Sequence, residues 1–311
     1  MSSVSEGRFR SSSVPSITRG PRRTTLPTGD GVRIEAVYTP CTAGFVPGDG
    51  GAAGRTAVVL AHGFTGSVDR PAVRRAAAVF AQRAAVITFS FRGHGRSGGR
   101  STVGDREVLD LAAAVGWARS LGHRRVVTVG FSMGGSVVLR HAALYTEPEV
   151  PGRAGTFPPA GATERVEGRT RAPDGRAGAH TDAVVAVSSP ARWYYRGTAP
   201  MRRLHWVVTR PAGRFVGRYG FRTRIHREDW NPVPLSPVEA VPLIEAPLLI
   251  VHGDRDPYFP LDHPRMLAAA ARDGAELWIE RGMGHAENAA DDALLTRIAD
   301  WTAPACFIMD S

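Results

Sequence analysis

The run Gly130-Phe131-Ser132-Met133-Gly134 holds the side chain with the clearest chemical potential, a serine hydroxyl with a glycine two positions away on either side. A serine becomes a nucleophile when a neighbouring base takes its proton. The run sits between the strand-like residues 126–129 and the helix-like residues 136–144. That setting suits a sharp strand-to-helix turn that raises the Oγ above a sheet, with the glycines leaving room for the backbone. Taken alone, the same run also reads as a glycine-rich turn with a capping serine, so its partners decide. A base is at hand in Gly282-Met283-Gly284-His285, and carboxylates that could orient it lie in Gly253-Asp254-Arg255-Asp256-Pro257. His62-Gly63-Phe64-Thr65-Gly66 follows another strand-like run, where backbone N–H groups can stabilise an anionic oxygen. The N–H of Phe64, paired with that of Met133, is the expected pair of donors, and His62 reads as a structural histidine that holds the loop.

These loops need a scaffold that brings them together. Short β-rich apolar runs at 33–38, 56–61, 85–91, 125–130, 183–188, 247–252 and 276–280 alternate with helical spacing at 72–83, 106–121, 133–145, 264–272 and 289–301. That rhythm predicts an α/β fold, a mostly parallel sheet with helices on both faces. Several runs are apolar without alternation, as strands covered on both sides should be. Each candidate loop follows a strand, which places all of them at the carboxyl edge of the sheet, where open α/β sheets bind ligands.

The remaining composition narrows the function. The 311 residues carry a formal net charge of +10, and all 39 basic residues are arginine. Scattered arginine without lysine fits codon bias better than a basic face for nucleic acid, so no specific nucleic-acid partner is expected. Cys41 and Cys306 lie far apart, and no Cys/His spacing suits a metal, so no metal and no cofactor are expected. The glycine-rich Phe91-Arg92-Gly93-His94-Gly95-Arg96-Ser97 lacks the spacings of nucleotide-binding loops and reads as structural. No apolar run reaches ~18 residues and the N-terminus lacks an apolar signal core, so a cytoplasmic protein without a membrane span is expected. Nothing in the pattern fixes an oligomeric state.

Along the chain, 1–23 reads as a disordered basic leader, 24–147 as the first part of the core, and 148–181 as a flexible Gly/Pro/Arg insertion. A core strand at 182–189 follows, then a small helical lid at 190–243 and the rest of the core at 244–311. Trp193, Tyr194 and Trp206 in the lid are the candidates for substrate contact. The competing reading of that segment is a plain helical connection whose aromatics pack on the sheet.

Five motifs in order resemble the α/β-hydrolase superfamily of serine hydrolases: HGFTG at His62, RGHGRS at Arg92, GFSMGG at Gly130, HGDRD at His252 and GHAE at Gly284. The resemblance spans roughly Thr24 to the C-terminus, and the short lid and HGFTG loop are similar to the cinnamoyl-esterase and monoacylglycerol-lipase-like branches. It implies Ser132 as nucleophile, His285 as general base and Asp256 as the orienting acid, with Asp254 as the alternative acid or a brace for the turn. It further implies a two-step acyl transfer on a small-molecule carboxylic ester. Competing expectations are a peptidase of the proline-iminopeptidase-like type, a thioesterase, or a non-catalytic binding scaffold on the same fold.

Overall fold

The structure is a computed structural model that describes residues 20–42, 56–146 and 178–303. Its centre is an eight-stranded sheet in the order β1-β2-β4-β3-β5-β6-β7-β8. The strands are β1 (Arg22–Pro27), β2 (Arg33–Thr39), β3 (Thr56–Ala61), β4 (Ala85–Phe89), β5 (Arg125–Phe131), β6 (Ala183–Val187), β7 (Leu248–Gly253) and β8 (Glu276–Glu280). β1 and β2 run antiparallel at one edge, and every pairing from β4 onward is parallel.

The central strands β3, β4, β6 and β7 are buried at every position. Their side chains alternate between two apolar layers, because successive residues of a strand point to opposite faces. On one side Ala57, Val59 and Ile250 pack with α2 (Glu107–Ser120), α3 (Met133–Leu144) and α7 (Asp262–Ala270). On the other, Val58, Leu60 and Val251 meet α1 (Pro71–Phe80) and α9 (Asp292–Thr302). This double cover is why these strands read as unbroken apolar runs.

Three features depart from the sequence reading. β1 begins at Arg22, inside the segment expected to be a leader, and carries no strand-like apolar pattern because Leu26 is its one buried residue. The helix expected at 289–301 begins three residues later, as α9, since Asp291 caps it by accepting from the Leu294 N–H at 2.8 Å, and the single turn α8 (Ala286–Ala289) precedes it. The insertion expected at 148–181 falls outside the described residues as far as residue 177. Of its last residues, Thr181 is buried and donates to the Ala183 carbonyl at the start of β6. Between β6 and β7 lie α4 (Ala199–Thr209), α5 (Pro211–Tyr219) and the single turn α6 (Pro237–Ala240). None of the described helices is long and apolar enough to cross a membrane.

Candidate active site

At the carboxyl end of β5 the chain turns directly into α3, and Ser132 occupies the turn with φ 52° and ψ −113°. A side chain rarely tolerates that conformation, which costs roughly 1–3 kcal/mol and persists only where its surroundings enforce it. The enforcement is steric. A Cβ on Gly130 would stand 2.2 Å from the Gly134 carbonyl oxygen, and a Cβ on Gly134 would stand 2.1 Å from that of Ala61. The two glycines of the motif are thus places where backbone touches backbone.

The Ser132 hydroxyl lies 2.8 Å from His285 Nε2, and His285 Nδ1 lies 2.7 Å from Asp256 Oδ2. The other Asp256 oxygen accepts from the N–H groups of Tyr258 (2.8 Å) and Phe259 (3.1 Å). The Asp256 carboxylate is wholly buried. Burial alone would raise its pKa, but the His285 hydrogen bond and charge, together with the two backbone donors, outweigh it and hold the carboxyl below the usual range. Behind it, buried His252 donates from Nε2 to the Phe259 carbonyl at 2.9 Å. Asp254 is exposed and accepts from the Gly282 N–H at 2.6 Å, which braces the β7 loop against the loop that carries His285. Of the two candidate acids, the one in contact with the histidine is therefore Asp256.

The HGFTG loop lies alongside. His62 is fully buried, and burial pushes its pKa down to about 3, so the ring is neutral. Its Nε2 accepts from the Phe91 N–H at 3.0 Å, which leaves Nδ1 as the protonated atom that donates to the Gly63 carbonyl at 2.7 Å. Its ring thus ties the loop after β3 to the loop after β4. Among the described residues no loop or turn hydrogen bond uses the N–H of Phe64 or of Met133, and Met133 begins α3, where helix N–H groups lack intrahelical partners.

Glu287, the last residue of GHAE, is buried, with Oε1 accepting from the Gly63 N–H at 3.0 Å. A Cβ on Gly63 would lie 3.3 Å from both Glu287 carboxylate oxygens and 3.4 Å from the Ser132 Cβ, so this carboxylate stands next to the serine. Arg75 of α1 clamps α8 by donating to the carbonyls of Glu287 (2.9 Å) and Ala290 (2.6 Å). The carboxylate two residues beyond the histidine was the available signal.

A cavity of 380 Å³ opens over Ser132 and His285. Phe64, Tyr258 and Phe259 form part of its wall, and Met201, Leu204 and Val207 of α4 close the far side, with Arg203 at the same helix face. The three aromatics expected to touch substrate lie elsewhere. Trp193 donates from Nε1 to the Pro234 carbonyl at 2.9 Å and packs against Trp230, while Tyr194 and Trp206 are 55% and 48% exposed. The helical period explains the displacement: with residues 200, 203, 204 and 207 turned inward, Trp206 faces out. Among the described residues no cluster of His, Cys, Asp or Glu could hold a metal ion.

No curated protein matches the sequence. Among solved structures the chain is similar to the Pf2001 esterase of Pyrococcus furiosus, at a TM-score of 0.61 and 20% identity over 91% of this chain and 92% of that one. It is also similar to an alpha-beta serine hydrolase homologue from Coxiella burnetii (TM-score 0.54, 15% identity, 92% and 98% covered). A third likeness is to Est1E from Butyrivibrio proteoclasticus with ferulic acid bound (TM-score 0.53, 16% identity, 90% and 96% covered). At these identities the likeness is one of fold. A family model described as the alpha/beta hydrolase family matches residues 58–296, and with most of the sequence inside that match the chain belongs to the alpha/beta hydrolase family.

Proposed function

We propose that the protein is a serine esterase that cleaves carboxylic esters through an acyl-enzyme. The observation that carries this reading is the unbroken run of hydrogen bonds from Ser132 through His285 to Asp256 at the floor of a cavity. In the proposed sequence His285 Nε2 takes the Ser132 proton as Oγ attacks the ester carbonyl. The oxygen becomes an oxyanion within reach of the Phe64 and Met133 N–H groups, which stabilise it without reorganising, a contribution of roughly 10²–10³ in rate per donor. His285 then returns its proton to the leaving alcohol. Water repeats the attack on the acyl-serine and the acid is released. Asp256 fixes the Nδ1–H tautomer and stabilises the imidazolium throughout.

The Pf2001 esterase among the structural neighbours, and Est1E with ferulic acid bound, support an ester as the scissile bond. The apolar wall built by Met201, Leu204, Val207 and Phe259 suits an apolar or aromatic acyl group. Residues 190–243 serve in this reading as a short lid whose α4 supplies that wall. A fluorophosphonate probe tests the assignment: it should label the wild-type protein and leave Ser132→Ala unlabelled. Labelling that persists in Ser132→Ala would remove Ser132 as the nucleophile. A panel of esters graded by acyl length then tests the wall, since equal turnover across the panel would discard it as a selector.

A further inference from the structure

The apolar surface that the described fold leaves in water is gathered in one place. Of nine exposed large hydrophobic residues among those described, eight lie between Tyr194 and Leu235, and the ninth is Ile279. Between Arg192 and Leu235 the sequence also holds ten arginines against two acidic residues, Glu228 and Asp229. Of these ten, Arg192 alone forms an ion pair among the described residues, with Asp262.

The arrangement within α5 is imposed by its glycines. A Cβ on Gly213 would stand 2.3 Å from the Trp206 carbonyl oxygen, and one on Gly217 would stand 3.1 Å from Ile225 Cδ1, so the glycine face is pressed inward. Phe215 and Tyr219, one helical turn apart, consequently face out, with ring centroids 4.5 Å from each other. Arg214 and Arg218 form the neighbouring stripe, and Arg218 lies over the Tyr219 ring at 5.4 Å. Nothing in the fold requires rings there; packing would be served by polar residues at both positions. The patch is continuous with the cavity. Phe221 lines the cavity, is 42% exposed, and takes its backbone hydrogen bonds from the last turn of α5, donating to the carbonyls of Val216 and Gly217.

Aromatic rings and aliphatic residues interleaved with guanidinium groups that have no acidic partner among the described residues are the composition of a surface that lies in a headgroup layer, with rings at the acyl boundary and arginines on anionic groups. A second copy of the chain would bring like charges together. We infer that the α4–α5 surface docks on an anionic lipid–water interface and so holds the cavity mouth at a membrane. This goes beyond ester hydrolysis and does not depend on it.

The test uses the full chain with sedimenting vesicles of phosphatidylcholine alone and of phosphatidylcholine with roughly one third phosphatidylglycerol. Partition onto the anionic vesicles should exceed that onto neutral ones by about tenfold or more and should fall as salt is raised. Arg214→Glu combined with Arg218→Glu, and separately Phe215→Ser combined with Tyr219→Ser, should each reduce that partition by about tenfold. Circular dichroism establishes that each variant is folded, and Tyr219→Ser alone replaces any that is not, with a smaller loss expected. Ser132→Ala should bind vesicles as the wild type does, which separates this inference from the esterase reading. Equal partition onto both vesicle types overturns the proposal, as does wild-type binding by the folded variants. Binding to duplex DNA as tight as to anionic vesicles at the same salt would overturn it as well, in favour of a general polyanion surface.

Discussion

The cavity is bounded by two regions built on opposite plans. The rim formed by the loops after β3, β5, β7 and β8 is set by contacts of backbone with backbone and by buried hydrogen bonds, down to glycines whose Cβ would have no space. Across from it, α4 offers one apolar face to the cavity, and α4 and α5 leave arginines and aromatic rings in water. A proton path tolerates errors of a fraction of an ångström, whereas a surface that meets an apolar chain or a lipid layer needs only composition on the correct face. Substitutions in the first region should therefore act on chemistry and folding, and those on the outer face of the second should leave the turnover of a soluble ester untouched.

The largest effect belongs to the acid. Asp256→Asn preserves shape but reverses the preferred tautomer of His285, and kcat should fall by about 10⁴. Asp254→Asn keeps an oxygen that accepts from the Gly282 N–H, loses only an exposed charge, and should change kcat by less than about threefold. Steady-state kinetics on a short soluble ester decides between them, and the opposite ranking would transfer the orienting role to Asp254.

The glycines give the next step down. Gly134→Ala forces a carbon to within 2.1 Å of the Ala61 oxygen and should destabilise the fold by about 3 kcal/mol or more, lowering Tm by roughly 6–12 °C. Gly116→Ala, in the middle of α2 where an added Cβ meets nothing, should raise stability by up to ~1 kcal/mol. Differential scanning calorimetry of the two alanine variants makes the contrast; equal shifts would mean that the turn at Ser132 is less constrained than its contacts indicate.

How much of this could be read from sequence follows the same division. The central strands were legible because burial on both faces leaves unbroken apolar runs, and the order of the loops followed from the strands they end. Ser132, Asp256 and His285 were expected at one edge, and the structure brings them into hydrogen-bond contact. β1 was not legible, since a polar edge strand with one buried leucine resembles a tail. Trp193, Tyr194 and Trp206 were chosen by residue type, whereas the cavity wall is selected by helix face, and the smaller Met201, Leu204 and Val207 are the residues turned inward. Glu287 illustrates a further limit: a carboxylate near a histidine is visible in sequence, but its bond to Gly63, 224 positions away, is not.

Removing that bond should have an intermediate effect. Glu287→Ala leaves the Gly63 N–H without an acceptor in a buried place, a penalty of ~1–3 kcal/mol. Because Gly63 precedes Phe64, part of that penalty should appear as a fall in kcat of about 10- to 100-fold with KM little changed. Glu287→Gln keeps an acceptor and should recover most of the loss. A KM effect without a kcat effect would mean that Glu287 contacts substrate rather than the loop. On the opposite region, Trp206→Ala should alter neither constant by more than about twofold.

The smallest effect concerns how arginines are used in the two regions. Arg92, in the loop after β4, is buried and donates to Asp30 at 2.7 Å and to Asp110 at 2.8 Å, whereas Arg218 on α5 has no ion pair among the described residues. Burial would raise the Asp30 pKa, but the Arg92 hydrogen bonds, the Thr28 hydroxyl and the Arg92 charge override it and lower it to about 2. A carboxyl depressed in the folded state contributes stability that is complete above its unfolded pKa, about 4, and is lost as pH falls toward the folded value. With Asp30 partly exposed the contribution should be ~1 kcal/mol. In urea titrations the gap between wild type and Asp30→Asn should be constant from neutral pH to about pH 4 and then close toward pH 2. Arg218→Gln should give a gap that stays flat over the same range, because no carboxylate answers it. A gap for Asp30→Asn that persists undiminished near pH 2 would mean that the side chain acts through packing rather than charge, and the charge of Arg92 would then be answered by Asp110 alone.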